Sequence, residues 1–173
     1  MPRVPLDSLP GESRVWVFGS EHPVTDTSAQ WLLDIVDAFL DQWAAHGAPL
    51  RAGRDWREHR FLTIAVDQST AGASGCSIDA LFRALRESED LLGTTMIGSG
   101  RVYYRNSDGS VASATRDLFS TLGATGAVGP ETPVFDTTVQ TLADWNERFE
   151  TPLGASWHAR LLPEGAGSER TGR

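Results

Sequence analysis

AGASGCSIDALF, residues 71–82, is the stretch on which the predicted fold depends. It follows the apolar run 61–66 and begins with small residues, which let a chain turn tightly. Apolar side chains then recur at the spacing of a helix, at Ile78, Leu81, Phe82 and Leu85. The stretch therefore predicts a buried strand, a tight loop and an amphipathic helix that is capped by Ser77 and ends near Leu92.

Cys76, the only cysteine, falls just before the first turn of this predicted helix. Free amides at a helix start stabilise a thiolate, whereas the nearby Asp79 disfavours a second negative charge. A catalytic Cys76 would need a base, which His46 or His158 could supply only through a tertiary contact. The alternative is that Cys76 packs as a small apolar residue, as free cysteines usually do.

Composition excludes several classes of function. The 173 residues carry a formal net charge of −8, which argues against nucleic acid or an anionic membrane as a partner. The chain contains no lysine, so a P-loop lysine and a Schiff-base lysine are impossible. The four histidines lack metal-ligand spacing, and no apolar run is long enough to cross a membrane. We expect no cofactor, metal or nucleotide, and a lone cysteine favours the reducing cytoplasm.

The order of predicted elements indicates an α+β fold. A strand at 15–18 precedes a long helix at 26–46 that ends at His46, with Gly47 as its stop. A polar edge strand at 50–56 and a central strand at 60–67 come before the second helix, and a further strand surrounds 102–104. This order predicts an antiparallel or mixed sheet with helices on one face, in the split β-α-β, ferredoxin-like arrangement.

The domain prediction is one α+β domain over 14–162 between two disordered tails, 1–13 and 163–173. Its last third reads as a small hairpin-helix extension. The turn sequence Asn106-Ser107-Asp108-Gly109 joins the two strands of the hairpin, and a short helix is expected near 115–122.

Three segments carry a resemblance to a known family: 41–50 (DQWAAHGAPL), 66–79 with its GASGCSID core, and 156–160 (SWHAR). They resemble an uncharacterised bacterial family whose members are often labelled ABC transporter ATPases, and the likeness covers most of 14–162. The label implies a nucleotide site, but the Gly-x-x-x-x-Gly-Lys-Ser/Thr motif is absent. We therefore do not expect a P-loop ATPase.

Residues 101–145 resemble the skeleton of GYF-type adaptor modules. The likeness rests on Tyr103-Tyr104, Asp108-Gly109, Leu118, Gly126, residues 132–135 and Trp145. It implies a GYF-like subdomain over 101–162 and binding of a short peptide, although no Gly-Tyr-Phe triplet is present.

Two functional hypotheses follow. The first is a non-catalytic protein-interaction or scaffold module that binds a protein partner or itself through surface aromatics and an edge strand. Its candidate binding residues are Trp31, Trp56, Tyr103, Tyr104 and Trp145. The second is a thiol-based enzyme or redox switch at Cys76.

Overall fold

The computed structural model describes residues 3–69 and 72–164. It confirms the α+β class, with four α-helices and antiparallel sheets among these residues. The chain divides into two compact units. The first contains the described residues up to 99 together with 137–147, and the second contains 100–136 together with the described residues from 148 onward.

The first unit is built on a three-stranded antiparallel sheet. Its helices and strands are, in chain order, β1 (Arg14–Gly19), α1 (Asp26–Gln42), β2 (Ala44–Ala45), β3 (Ala48–Pro49), β4 (Arg51–Arg57), β5 (Phe61–Asp67) and α2 (Gly75–Leu92). The strand order is β1-β5-β4, so β5 lies antiparallel between β1 and β4, which run parallel to each other as the split β-α-β prediction requires. β5 is buried at every position, which explains its continuously apolar sequence.

Helices α1 and α2 cover one face of this sheet. Leu62, Ile64 and Val66 alternate along β5 toward that face and share a core with Leu32 of α1 and Leu81 of α2. The ferredoxin-like order is nevertheless incomplete, because the strand predicted near 102–104 pairs within the second unit instead. The outer edge of β1 is occupied by residues 140–141, where the amide of Val15 donates to the carbonyl of Gln140 at 3.0 Å.

The predicted end of α1 is wrong by four residues. The helix ends at Gln42, and His46 and Gly47 form the turn between β2 and β3 with φ values of 52° and 77°. A two-residue hairpin turn of this kind requires positive φ at both central residues, and glycine supplies one of them at no steric cost. The same glycine therefore fits a helix stop and a hairpin turn equally well.

Helix α2 begins earlier than predicted. Ser74, not Ser77, is the cap, because its Oγ accepts a hydrogen bond from the amide of Ser77 at 3.2 Å. Cys76 is consequently the second residue of the helix, and Asp79 lies beyond the first turn. The predicted stop is confirmed: Gly93 adopts the left-handed conformation at φ 66°.

The N-terminal residues, predicted as a disordered tail, are ordered from Arg3. The amide of Val4 donates to Ala52 of β4 at 2.8 Å, and a short 3-10 turn at Leu6–Ser8 leads to the buried Leu9. The segment passes close to Gly53 of β4, where a Cβ would lie 2.6 Å from the carbonyl oxygen of Val4. The prediction of a disordered tail at 163–173 lies outside the described residues, except for Pro163 and Glu164.

The second unit contains a four-stranded antiparallel sheet, larger than the predicted hairpin and helix. Its elements are β6 (Val102–Arg105), β7 (Val111–Ala114), α3 (Arg116–Ala124), β8 (Pro133–Phe135) and β9 (Glu150–Pro152), with strand order β7-β6-β8-β9. The turn at 106–109 joins β6 and β7 as predicted. Its core gathers around Phe119, Val134 and Leu153. Helix α4 (Leu142–Arg148) belongs to the first unit apart from its last residue, so the predicted boundary of 101–162 does not match this unit.

Candidate functional site

A large cleft in the first unit lies where α1, the β2–β3 hairpin and α2 meet. Its volume is about 1020 Å³. The end of α1 contributes Phe39, the hairpin turn contributes His46, and the start of α2 contributes Cys76 and Ala80. The cleft therefore combines apolar walls with a thiol, an imidazole and the first turn of a helix.

Trp43 positions the elements around this cleft. Its buried indole Nε1 donates to the carbonyl of Ser77 at 3.0 Å, which ties the residue after α1 to the first turn of α2. The ring also contacts Phe39, with centroids 5.5 Å apart, and meets Trp16 edge-on at 6.2 Å. Because one side chain both lines the cleft and bonds across it, the cleft has a fixed aromatic wall.

Cys76 is exposed and has no disulfide partner. The prediction that it packs as a buried apolar residue is therefore wrong, and the cause is the early start of α2. Its position places the side chain in the first helical turn, which contains no acidic residue. Backbone amides and the helix dipole favour negative charge in the first turn of a helix.

The two histidines proposed as partners of Cys76 have different surroundings. His46 is exposed in the hairpin turn and lines the same cleft as Cys76. His158 belongs to the second unit and does not line that cleft. Of the two candidates, the structure brings only His46 into the cleft of Cys76.

His158 is a structural residue of the second unit. Its side chain is 2% exposed, its Nδ1 shares a hydrogen bond of 2.6 Å with Ser156 Oγ, and its ring stacks on Trp157 at 3.9 Å. Burial lowers the pKa of His158 to about 4, against the opposing attraction of Asp136, and Arg116 lowers it further. The imidazole is therefore neutral at ordinary pH.

The five aromatic residues proposed for binding are divided between the two units and differ in exposure. Tyr103 and Trp145 are buried, which leaves them almost no area for a partner. Trp56 is half-buried against the core of the first unit, and the half-buried Tyr104 contacts Phe119 at 5.5 Å between ring centroids. Trp31 is the exposed member, with 37% of its surface accessible, and its binding role stays a prediction.

The sequence analysis also gave no role to Asp37, which lies on α1. Arg54 of β4 donates two hydrogen bonds of 2.8 Å each to this carboxylate, and Arg3 forms an ion pair with it as well. The Arg54 hydrogen bonds hold the pKa of Asp37 below its ordinary value, although burial opposes the shift. The signal available in the sequence was the run of arginines at 51, 54, 57 and 60, where Arg57 pairs with Asp55 at 2.7 Å.

No cluster of three metal-ligating side chains occurs within residues 3–69 and 72–164. None of the helices in those ranges is long and apolar enough to cross a bilayer. Comparison with protein-family models, curated proteins and solved structures finds no match for this chain. The resemblances to the bacterial family and to GYF-type modules therefore stay predictions.

Proposed function

We propose that the chain is a non-catalytic binding protein of the bacterial cytoplasm, and that a protein partner inserts an apolar side chain into the cleft beside Trp43. The observation that carries the proposal is the cleft itself, which joins aromatic walls to a helix start. Its volume is at the upper end of the roughly 300–1,000 Å³ that ligand sites occupy. The net charge of −8 favours a protein partner over nucleic acid or an anionic membrane.

Affinity capture with a matched pair of variants tests this proposal. Ala80 lines the cleft, so Ala80→Phe fills it, whereas Ala38→Phe adds the same bulk to the exposed face of α1. We expect the native chain and Ala38→Phe to retain the same protein from cytosol, or to self-associate on a sizing column, and Ala80→Phe to lose it. A native chain that stays monomeric and retains nothing, or retention that Ala80→Phe leaves intact, would contradict the proposal.

A second candidate function is thiol chemistry at Cys76. Its support is the exposure of the sulfur in a cleft that His46 also lines. His46 would accept the thiol proton. The resulting thiolate would attack either an electrophilic carbon, whose leaving group departs with the electron pair of the broken bond, or a disulfide of a second molecule, whose other sulfur is released as thiolate.

The rate of alkylation by iodoacetamide, measured against pH, distinguishes the two candidates. Thiol function predicts a rate midpoint below about 8.5, the ordinary value for a cysteine, and a higher midpoint in His46→Asn. His22→Asn, at an exposed histidine that does not line the cleft, is the control and should leave the midpoint unchanged. A midpoint at or above about 8.5 in the native chain would remove the rationale.

A further inference from the structure

The outer edge of β4 is only partly covered. In an antiparallel ladder the main-chain groups of successive residues point alternately to the two sides of a strand. Ala52 points outward, because its carbonyl accepts from Val4 at 2.8 Å. Arg54 and Trp56, two and four residues further along β4, therefore also point their N–H and C=O groups away from β5.

The chain's own N-terminal segment pairs with this edge and then leaves it. Arg3 forms a parallel bridge with Ala52, and the chain then leaves the ladder at Pro5 and enters the 3-10 turn at Leu6–Ser8. Within the described residues, Arg54 and Trp56 form no main-chain hydrogen bond with any segment other than β5. A hollow of about 240 Å³, lined by Arg3, Pro5 and Arg54, lies where the pairing stops.

A groove continues from the same edge onto the sheet face opposite the helices. It has a volume of about 530 Å³ and is lined by the half-buried Leu6, the exposed Asp7, and Asp55 and Arg57 of β4, with the buried Trp145 at its base. The Arg57 guanidinium lies over the Trp145 ring at 4.3 Å and also binds Asp55 at 2.7 Å. Asp55 and Arg57 are thus paired with each other, the exposed Asp7 adds a further negative charge, and the half-buried Leu6 contributes apolar area to the groove.

We propose that the edge of β4 at Arg54 and Trp56 is a strand-addition site for an extended segment of another polypeptide that carries an apolar side chain for the adjoining groove. Outward N–H and C=O groups that alternate at strand spacing match a polypeptide backbone, and main-chain pairing supplies affinity while a side-chain pocket supplies specificity. The segment Arg3-Val4 shows that this edge accepts an added strand. A second copy of β4 fits poorly, because two-fold pairing about Asp55 would place two carboxylates opposite each other.

The test begins with random linear peptides selected on the full chain by phage display. Amide hydrogen exchange of the full chain is then measured with each enriched peptide. We expect slower exchange at Arg54 and Trp56 and no change at Gly53 and Asp55, whose amides already face β5. Failure to enrich any peptide, or protection confined to the cleft around Trp43, would overturn the proposal.

Two variants at one position provide the matched control. Arg54→Ala and Arg54→Pro both remove the guanidinium that binds Asp37, but only proline removes the outward N–H, and an edge strand tolerates it on that side. We expect Arg54→Ala to keep most of the peptide affinity and Arg54→Pro to lose about ten-fold, the equivalent of one good hydrogen bond. Equal affinities in two variants with native circular dichroism would refute main-chain pairing.

Discussion

Replacement of Gly53 by alanine tests whether the N-terminal segment belongs to the fold. A Cβ at this position would lie 2.6 Å from the carbonyl oxygen of Val4 and 3.1 Å from the Cα of Leu6. Both neighbours are main-chain atoms, so no side-chain rotation relieves the clash. The segment must move away from β4, which breaks the Val4–Ala52 hydrogen bond and strains the Arg3 ion pairs.

The expected cost follows from these contacts. Overpacking costs about 1–3 kcal/mol and the lost hydrogen bond about 0.5–1.5 kcal/mol. Alanine lowers the conformational entropy of the unfolded chain, which offsets about 0.4–1 kcal/mol of this cost. We therefore expect Gly53→Ala to lower the free energy of unfolding of the first unit by about 1–3 kcal/mol in urea denaturation followed by circular dichroism. Gly75→Ala, where a Cβ meets nothing within 4 Å, is the control and should be neutral or slightly stabilising.

The same substitution in a shortened chain identifies the cause of the lost stability. Deleting the residues before Pro10 removes the atoms with which the new Cβ would clash. In that shortened chain Gly53→Ala should cost almost nothing, because the two changes act on one contact. A substitution that is harmless in the full chain, or equally costly in both backgrounds, would refute the reasoning.

Three further predictions concern separate contacts. Because His158 is neutral when folded and protonates near its usual pKa of 6.5 when unfolded, stability is fully present above pH 6.5 and falls as the pH drops toward about 4, by up to about 3 kcal/mol. Equilibrium unfolding at a series of pH values checks this, and His158→Gln should flatten that part of the profile. A double-mutant cycle between Arg54→Ala and Asp37→Ala should give a coupling of about 1–2 kcal/mol, because the bidentate pair is only partly exposed. Coupling near zero would show that solvent screens the pair. Trp43→Phe should cost about 1–2 kcal/mol in thermal or urea unfolding, since it leaves the Ser77 carbonyl without its indole donor. An unchanged midpoint would mean that this bond does not hold the cleft together.

The parts of the fold that could be predicted are those with a local signal. The run at 61–66 has no polar residue except Thr63, so it indicated a strand covered on both faces, and β5 is such a strand. Gly93 follows an amphipathic run and ends α2 as expected. The split β-α-β arrangement followed from the order of elements, because a helix between two strands places them parallel with room for a third.

The parts that could not be predicted depend on partners that are distant in sequence. The sequence near 102–105 does not indicate whether this strand pairs with β1 or joins a second sheet. Residues 140–141 occupy the edge of β1, so the strand pairs elsewhere. The ordered path of Arg3–Leu9 likewise depends on Gly53, because a side chain there would collide with Val4 and Leu6. This contact is visible only in the folded structure. Proline-rich composition alone predicted a loose segment.

The candidate site was predicted in part. The helix start at Cys76 was placed to within a few residues, and His46 was one of two proposed partners. The role of Trp43 could not be predicted, because a sequence pattern shows that an aromatic ring is buried but not that it also forms the wall of a cleft.

The return of residues 137–147 to the first unit has a consequence for synthesis on the ribosome. Three main-chain hydrogen bonds tie this stretch to the beginning of the chain: Val15 to Gln140, Leu142 to Ser13, and Ala143 to Gly11, at 2.8–3.0 Å. The first unit therefore remains unfinished while the next 37 residues, 100–136, are translated. A gene fragment that stops at Ser99 would encode a sheet in which the outer edge of β1 is unpaired. A fusion of residues 137–147 to that fragment through a short linker would pair this edge again.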